Sequence, residues 1–346
     1  ASQITGLQPE QIIINTQFAG GSFGRRAVPT SDYVSEAVTI AKAIDGRAPV
    51  KLIWTREDEM TAGYYRPMSY HILEGALDAD GNVSAWRHRI AMQSIMTGTA
   101  FEGLVQDGID STSVEGSKQL PYTIPNLQVD LHTVTGVGVP VLWWRSVGHT
   151  HNGFVTETFF DELAAAAGKD AYELRRELLN DHPRHLGVLE LADEKAGWGE
   201  DLGPGRGRGI DVHESFSSFV AEVVDVTVDD DGGFTVDRVV CAVDCGIAIN
   251  PDIVRAQMEG GIGYALSAAL REAVTLTEGQ VDQRNFDSYR PLRIDEMPDI
   301  EVHIVQSAEA PTGVGEPGVP PLAPALANAL ADATGKRVYR LPIGDS

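Results

Sequence analysis

Two hydrophobic periods run through this chain. Apolar residues that alternate, or cluster between turn signals, predict strands; apolar residues three and four apart predict helices. Residues 11–18 (QIIINTQF) are a short apolar run and predict a buried strand, followed by a Gly-rich loop over 19–30. Val34, Val38, Ala41 and Ile44 then share one helical face, with Ser31 at the N-cap position and Gly46 at the end. Residues 50–54 predict another strand. Residues 71–77 and 83–92 flank Asp78-Ala79-Asp80-Gly81-Asn82 and predict a hairpin.

The middle of the chain changes character. Residues 155–167, 171–179 and 184–196 read as helices. The stretch 197–209 (GWGEDLGPGRGRG) holds six Gly and one Pro and is the strongest linker candidate. Strands follow at 217–228 and 234–243, then a helix opening at Asn250-Pro251, a strand at 300–305 and a last helix over 322–334. The second hairpin lines up with the first. Both turns read Asp-x-Asp-Gly, and Arg87 and Arg238 each stand six residues after the turn glycine. Strands and helices mix without strict alternation, so the fold class is α+β. Its expected organisation is two related mixed α/β subdomains, 1–150 and 203–346, joined by a helical connector over 151–202.

Charge narrows the function. There are 50 Asp and Glu against 27 Lys and Arg, a net charge of −23. Such a chain repels phosphate backbones, and Arg25-Arg26 and Arg206-Gly207-Arg208 are too short to make a basic patch, so nucleic acid is not an expected partner. No run reaches the roughly 18 apolar residues of a membrane helix. Residue 1 is Ala and no signal peptide opens the chain, which leads us to expect a piece of something longer. The two cysteines, Cys241 and Cys245, are too few for an iron–sulfur cluster or a four-thiolate zinc site and read as small core residues.

Three motifs compete for the chemistry. Gly20-Gly21-Ser22-Phe23-Gly24 matches the G-x-S-x-G elbow of serine hydrolases, with Ser22 as nucleophile, but five residues separate Gly24 from Thr30 where a helix should begin. Gly313-Val314-Gly315-Glu316-Pro317-Gly318 is a literal G-x-G-x-x-G with too little chain after it for a dinucleotide fold. His182-Pro183-Arg184-His185 and His149-Thr150-His151 lack a third metal ligand. Glycine-dense backbone is common to the first two, and it brings main-chain N–H groups close to a large polar ligand. Glu316, set between Gly315 and Pro317, is the candidate general base.

Together these segments resemble the molybdenum-binding subunit of the xanthine dehydrogenase/aldehyde oxidase family, isoquinoline 1-oxidoreductase β-subunit type. The resembling stretches are Gly20-Gly21-Ser22-Phe23-Gly24-Arg25-Arg26, Trp144-Arg145-Ser146-Val147-Gly148-His149, Val243-Asp244-Cys245-Gly246 with Asn250-Pro251, Gln257-Met258-Glu259-Gly260 and Gly313-Val314-Gly315-Glu316-Pro317. They run in the family's order along essentially the whole chain. The resemblance implies two molybdopterin-binding subdomains, catalysis by Glu316, and a cofactor held by Gly20, Gly21, Ser22, Phe23, Gly24, Arg145, Gln257 and Gly315, with no side chain ligating the metal. It also implies the cytosine dinucleotide form of molybdopterin and oxidation of an aldehyde or N-heteroaromatic carbon with water as oxygen source. Ser22 departs from the family's third glycine. The family's Gly-Gln-Gly motif is absent, so a missing N-terminal half is expected as partner, and cofactor need not be held by this piece alone. A small [2Fe–2S] subunit, a cytochrome c acceptor and a periplasmic location are further implications. A non-catalytic scaffold and a Ser22 hydrolase are the competing expectations.

Overall fold

A computed structural model describes residues 1–344. The chain opens with α1 (Ser2–Thr5), α2 (Asp32–Ala43) and α3 (Arg56–Ala62). A first sheet follows, built from β1 (Ser69–Leu77), β2 (Val83–Met92) and β3 (Leu127–Thr133). Three helices connect it to the second half: α4 (Val147–Ala167), α5 (Ala171–Leu178) and α6 (Pro183–Ala196). The second half runs β4 (Arg206–Ser215), β5 (Ser218–Val228), β6 (Phe234–Asp244), α7 (Pro251–Leu270), the small pair β7 (Leu276–Thr277) and β8 (Gln280–Val281), β9 (Asp299–Ile304) and α8 (Leu322–Thr334). This is the α+β architecture expected, with two mixed sheets and helices between.

The two sheets repeat one plan. In the first, β1 pairs antiparallel with β2, which pairs parallel with β3. In the second, β5 pairs antiparallel with β6, which pairs parallel with β9, and β4 adds a further antiparallel edge. The turns match atom for atom. Asp78 Oδ1 accepts the N–H groups of Asp80 and Asn82, and Asp229 Oδ1 accepts those of Asp231 and Gly233. The arginines match too. Arg87 aligns with Gln128 but pairs with Asp130, two residues on, at 2.9 Å. Arg238 aligns with Asp299 but pairs with Glu301, also two residues on, at 2.6 Å.

The second sheet is buried on both faces, and its strands alternate accordingly. β5 sends Val220 and Val224 towards Val254, Met258 and Ile262 of α7 and Leu322 and Leu326 of α8. Ala221 and Val223 point the other way, to Val188, Leu189 and Ala192 of α6 and Phe160 and Leu163 of α4. Val83 and Trp86 of the first sheet join this same cluster, so α4 ties the two sheets together. Cys241 and Cys245 are free and buried in the core.

Four expectations change. Residues 11–18 form no strand; Ile13, Ile14 and Phe18 stand exposed. Residues 50–54 likewise form none, and Ile53 is exposed. An apolar run becomes a strand only where another strand completes its ladder, and among the described residues none lies alongside either segment. The linker candidate is half strand: β4 begins at Arg206, because Gly207 and Gly209 let α8 lie directly on the backbone. A Cβ at Gly209 would stand 2.1 Å from the Ala325 carbonyl oxygen. Finally, α4 opens at Val147 rather than near 155. Ser31 does stand at the N-cap of α2 as expected, without a side-chain capping bond.

Candidate active site

The site is built around the start of α4. Ser146 and Val147 both take left-handed backbone, φ 72° and 49°, a strained entry worth about 1–3 kcal/mol per residue. The strain turns Ser146 towards the loop before α8. Its N–H donates to Glu316 Oε1 at 3.0 Å, and its hydroxyl donates to the Glu316 carbonyl at 2.8 Å. The carboxylate thus meets the N-terminal end of a 21-residue helix, where free N–H groups and the macrodipole both receive an anion.

Arg145, one residue earlier, clamps three segments. Its guanidinium donates to the Gly315 carbonyl at 2.8 Å, the Gly260 carbonyl at 3.2 Å and Gln257 Oε1 at 3.2 Å. Asn250 starts the helix that carries Gln257, its side chain accepting the N–H groups of Asp252 and Ile253. The guanidinium also lies 5.8 Å from the Phe23 ring and 5.5 Å from that of Tyr264. Phe23 stacks on Tyr264 at 5.3 Å. Behind it Gly24 has φ 110°, and a Cβ there would sit 1.9 Å from the Trp143 carbonyl oxygen, so only glycine lets the loop close on residues 143–144.

The structure therefore brings Phe23, Gly24, Arg145, Gln257, Gly315 and Glu316 together. Gly20, Gly21 and Ser22 lie on the exposed rim of the same loop. Ser22 accepts from the N–H groups of Arg25 and Arg26, and no histidine or carboxylate among the described residues bonds to it. The base a serine nucleophile needs is missing, which disfavours the hydrolase reading.

A second carboxylate stands beside Glu316. Glu115 accepts the Gly148 N–H, and burial, with the nearby charges of Asp110 and Glu316 added, pushes its carboxyl up to about 7. The candidate histidines pair with other histidines. His149 Nδ1 meets His213 Nε2 at 3.0 Å, and the His182 and His185 rings stand 5.6 Å apart. Burial holds His149 down at about 4 and His185 at about 3, so both are neutral at pH 7. Among the described residues no three His, Cys, Asp or Glu side chains gather to hold a metal ion. Sequence reasoning passed over Ser146, Glu115 and Tyr264. Ser146 lay inside a quoted motif; the other two carried no local signal.

Two glycine loops, 20–24 and 313–315, thus flank one arginine. The N–H groups of Gly20, Gly21, Ser22, Gly313 and Gly315 donate to no other group among the described residues. Free main-chain donors on two loops, with a carboxylate beside them and no metal-ligand cluster among the described residues, suit a large polar cofactor that carries its metal's ligands with it. That defines a cofactor-binding domain. Residues 1–179 match the family described as Molybdopterin cofactor-binding domain, and residues 192–298 match a second family of the same description. The chain belongs to this family, that of the molybdenum-binding subunits of the xanthine dehydrogenase/aldehyde oxidase enzymes.

Relatives support the assignment. The chain is 32% identical to the isoquinoline 1-oxidoreductase β-subunit of Brevundimonas diminuta, covering 99% of this chain and 44% of that one. It is 32% identical to a subunit of the nicotinate dehydrogenase of Pseudomonas putida, covering 94% of this chain and 29% of that one. The chain thus spans less than half the length of these curated relatives. Its fold resembles quinoline 2-oxidoreductase from Pseudomonas putida 86, with TM-score 0.77, 15% identity and coverage of 94% of this chain and 67% of that one. It also resembles CO dehydrogenase from Oligotropha carboxidovorans, with TM-score 0.78, 15% identity and coverage of 99% and 68%.

Proposed function

We propose that the chain is the base-bearing part of a molybdenum hydroxylase that oxidises an aldehyde or an N-heteroaromatic carbon, with water as the oxygen source. One observation carries the reading: the Glu316 carboxylate is fixed on the Ser146 N–H while Arg145 locks the Glu316 loop against the Phe23 loop. Bound molybdopterin supplies the oxygen-transfer and electron-accepting chemistry. The chain's own residues do the rest. Glu316 accepts a proton beside the reacting carbon. Phe23, Gly24, Arg145, Gln257 and Gly315 hold the cofactor's edge, and Gly20, Gly21 and Ser22 present free N–H groups to it. The names of two relatives, an isoquinoline oxidoreductase and a nicotinate dehydrogenase, support an electron-poor ring as substrate, and a membrane-bound aldehyde dehydrogenase among them supports an aldehyde.

Electrons leave through other chains. Both thiols of this chain are buried in its core and offer no cluster ligands, and we assign the relay to a small [2Fe–2S] subunit, with a cytochrome c as final acceptor. We place the complex in the periplasm and give its cofactor the cytosine dinucleotide form. The remainder of the subunit covers the exposed Ile13, Ile14 and Phe18 and completes the cofactor site; the length of the relatives supports this. Among the described residues no helix is long and apolar enough to cross a membrane. The reading is tested with Glu316→Gln in the complete enzyme, by turnover and by molybdenum content. Loss of turnover with molybdenum retained is expected; full turnover would refute it.

A further inference from the structure

The first sheet is one strand short of the second. Its strands lie in the order β1-β2-β3, whereas the second runs β4-β5-β6-β9. Aligning Asp78 with Asp229 sets β1 on β5, β2 on β6 and β3 on β9, and leaves no described strand of the first sheet in the place of β4. The segment before β1 does not fill that place, since Tyr65 makes its parallel bridge with Val141 instead.

The geometry of the ladder shows which groups the open edge leaves over. The Trp86 N–H donates to the Asn126 carbonyl beside β3, so the main-chain groups of Arg87 and Arg89 point the other way, to β1. Their partners Glu74 and Ile72 point back at β2, and His71, Leu73 and Gly75 turn their N–H and C=O groups outward. Among the described residues none of these outward groups has a hydrogen-bond partner. The matching residues of β5 are Glu222, Val224 and Val226, which lie against Asp211, Gly209 and Gly207 of β4.

Nor is this edge guarded. Edge strands are normally kept short, or carry lysine, proline or a bulge that discourages a further strand. β1 has nine residues, no lysine and no proline, and its bulge falls only between Ala76 and Leu77. Tyr70 and Ile72 are 69% and 44% exposed, while their counterparts Ala221 and Val223 are buried, opposite Val212 and Ile210 of β4. The counterpart of Glu74 is Asp225, which accepts two bonds from Arg208 of β4 at 2.6 and 2.8 Å. Glu74 has Arg89 of its own sheet at 2.7 Å, and its side chain is still 57% exposed.

We propose that an extended segment of the same subunit, from outside this chain, adds to the β1 edge as an antiparallel strand and does for the first sheet what β4 does for the second. The proposal rests on the reading of the chain as part of a longer subunit, and names where the remainder attaches. Length supports a donor in the same polypeptide: the match to the isoquinoline 1-oxidoreductase relative takes in 99% of this chain and only 44% of that one. The duplication also specifies the segment's pattern, with apolar side chains opposite Tyr70 and Ile72 and a basic one opposite Glu74. Main-chain bonds give such a strand its affinity, and the alternating side chains give it its register.

The test is hydrogen exchange in the complete subunit, resolved to single amides. The His71, Leu73 and Gly75 amides are expected to exchange at least about tenfold more slowly than free amides, like those of Val224 and Val226. Fast exchange at these three, beside slow exchange at Tyr70, Ile72 and Glu74, would overturn the proposal. The measurement needs neither cofactor nor turnover, so failure of the hydroxylase reading would not touch it. The intact mass of the natural polypeptide tests the premise separately, and a polypeptide no longer than this chain would remove the proposal with it. Photo-crosslinking then identifies the donor. With Ile72→p-benzoylphenylalanine in the complete enzyme, a cross-link to another segment of the same polypeptide is expected. A cross-link to a second copy, with protection that fades on dilution, or to a different subunit would give the edge to that partner and overturn the proposal.

Discussion

Ser146 donates its backbone N–H to the Glu316 carboxylate at 3.0 Å across 170 residues of sequence. Because that donor is main chain, no side-chain substitution at 146 deletes it, and the position of the base depends on the left-handed turn into α4. Glu316→Gln leaves a carbonyl oxygen to accept the same bond but removes the proton acceptor. Turnover in the complete enzyme is expected to fall by about 10²–10⁴-fold, with molybdenum content and thermal midpoint close to those of the parent. Steady-state kinetics with metal analysis checks this.

Arg145 joins Gly315, Gly260 and Gln257 with one planar group. Lysine has a single point of donation and cannot reach all three. Arg145→Lys is expected to cost about 1.5–3 kcal/mol in a denaturant titration, since bonds from a charged group are lost in a mostly buried place. Cofactor occupancy in the complete enzyme should fall with it. Unchanged occupancy would mean that the clamp serves folding alone.

Gly209→Ala tests the contact between β4 and α8. Its new methyl would meet the Ala325 carbonyl oxygen at 2.1 Å and the Ala329 nitrogen at 2.4 Å, both backbone atoms that cannot turn aside. Overpacking of this kind costs about 1–3 kcal/mol or more. Gly203→Ala is a control of a different sort, since nothing lies within 4 Å there and only its φ of 87° is strained. Urea midpoints for the two variants compare collision with strain.

Glu222 predicts the pH dependence of stability. It is fully buried opposite Asp211 on β4 and Cys241 on β6, and burial pushes its carboxyl well above the usual range. Asp211 is raised as well, by burial and by the neighbouring Glu157, with Arg175 opposing. The folded chain keeps these protons where an unfolded chain has released them. Stability therefore falls as pH rises above about 4.3, where an unfolded Glu ionises, and goes on falling until the folded group itself ionises. Each such group contributes a slope of up to about 1.4 kcal/mol per pH unit. Glu222→Gln is expected to flatten the fall between pH 5 and 8 by one group's share, measured as unfolding free energy at several pH values. An unaltered slope would show that Glu222 is ionised in the fold.

What was legible in the sequence depended on whether the information was local. The last helix was readable to the residue, because a small apolar stripe ends at Gly335 with φ 70°. Both hairpins were readable because Asp-x-Asp-Gly writes its own turn. Residues 11–18 and 50–54 were not, since an apolar run does not say whether a partner strand exists. Gly207 and Gly209 looked like a linker because their reason, a helix lying on them, is more than a hundred residues away. The site divided in the same way. Glu316, Arg145 and Gln257 stood in recognisable motifs. Tyr264 did not, because what matters about it is the rings it lies against, those of Phe23 and Trp144.

The repeated arginine–carboxylate pair bears on how the chain finds its fold. β2 and β6 each wait for a parallel strand that is synthesised much later, and each offers the same charge six residues past the same turn. Either arginine would accept either carboxylate, so the ion pair does not tell β3 from β9. The strands that wait differ in burial. β6 is apolar on both faces from Val239 to Val243, whereas β2 alternates buried and half-buried positions. A β3 strand captured by β6 would set Asp130 and His132 where β9 sets Glu301 and His303, and only Thr133, in the place of Ile304, would change an apolar position to a polar one. Exchange of the two late strands is thus the misfolding route this duplication opens.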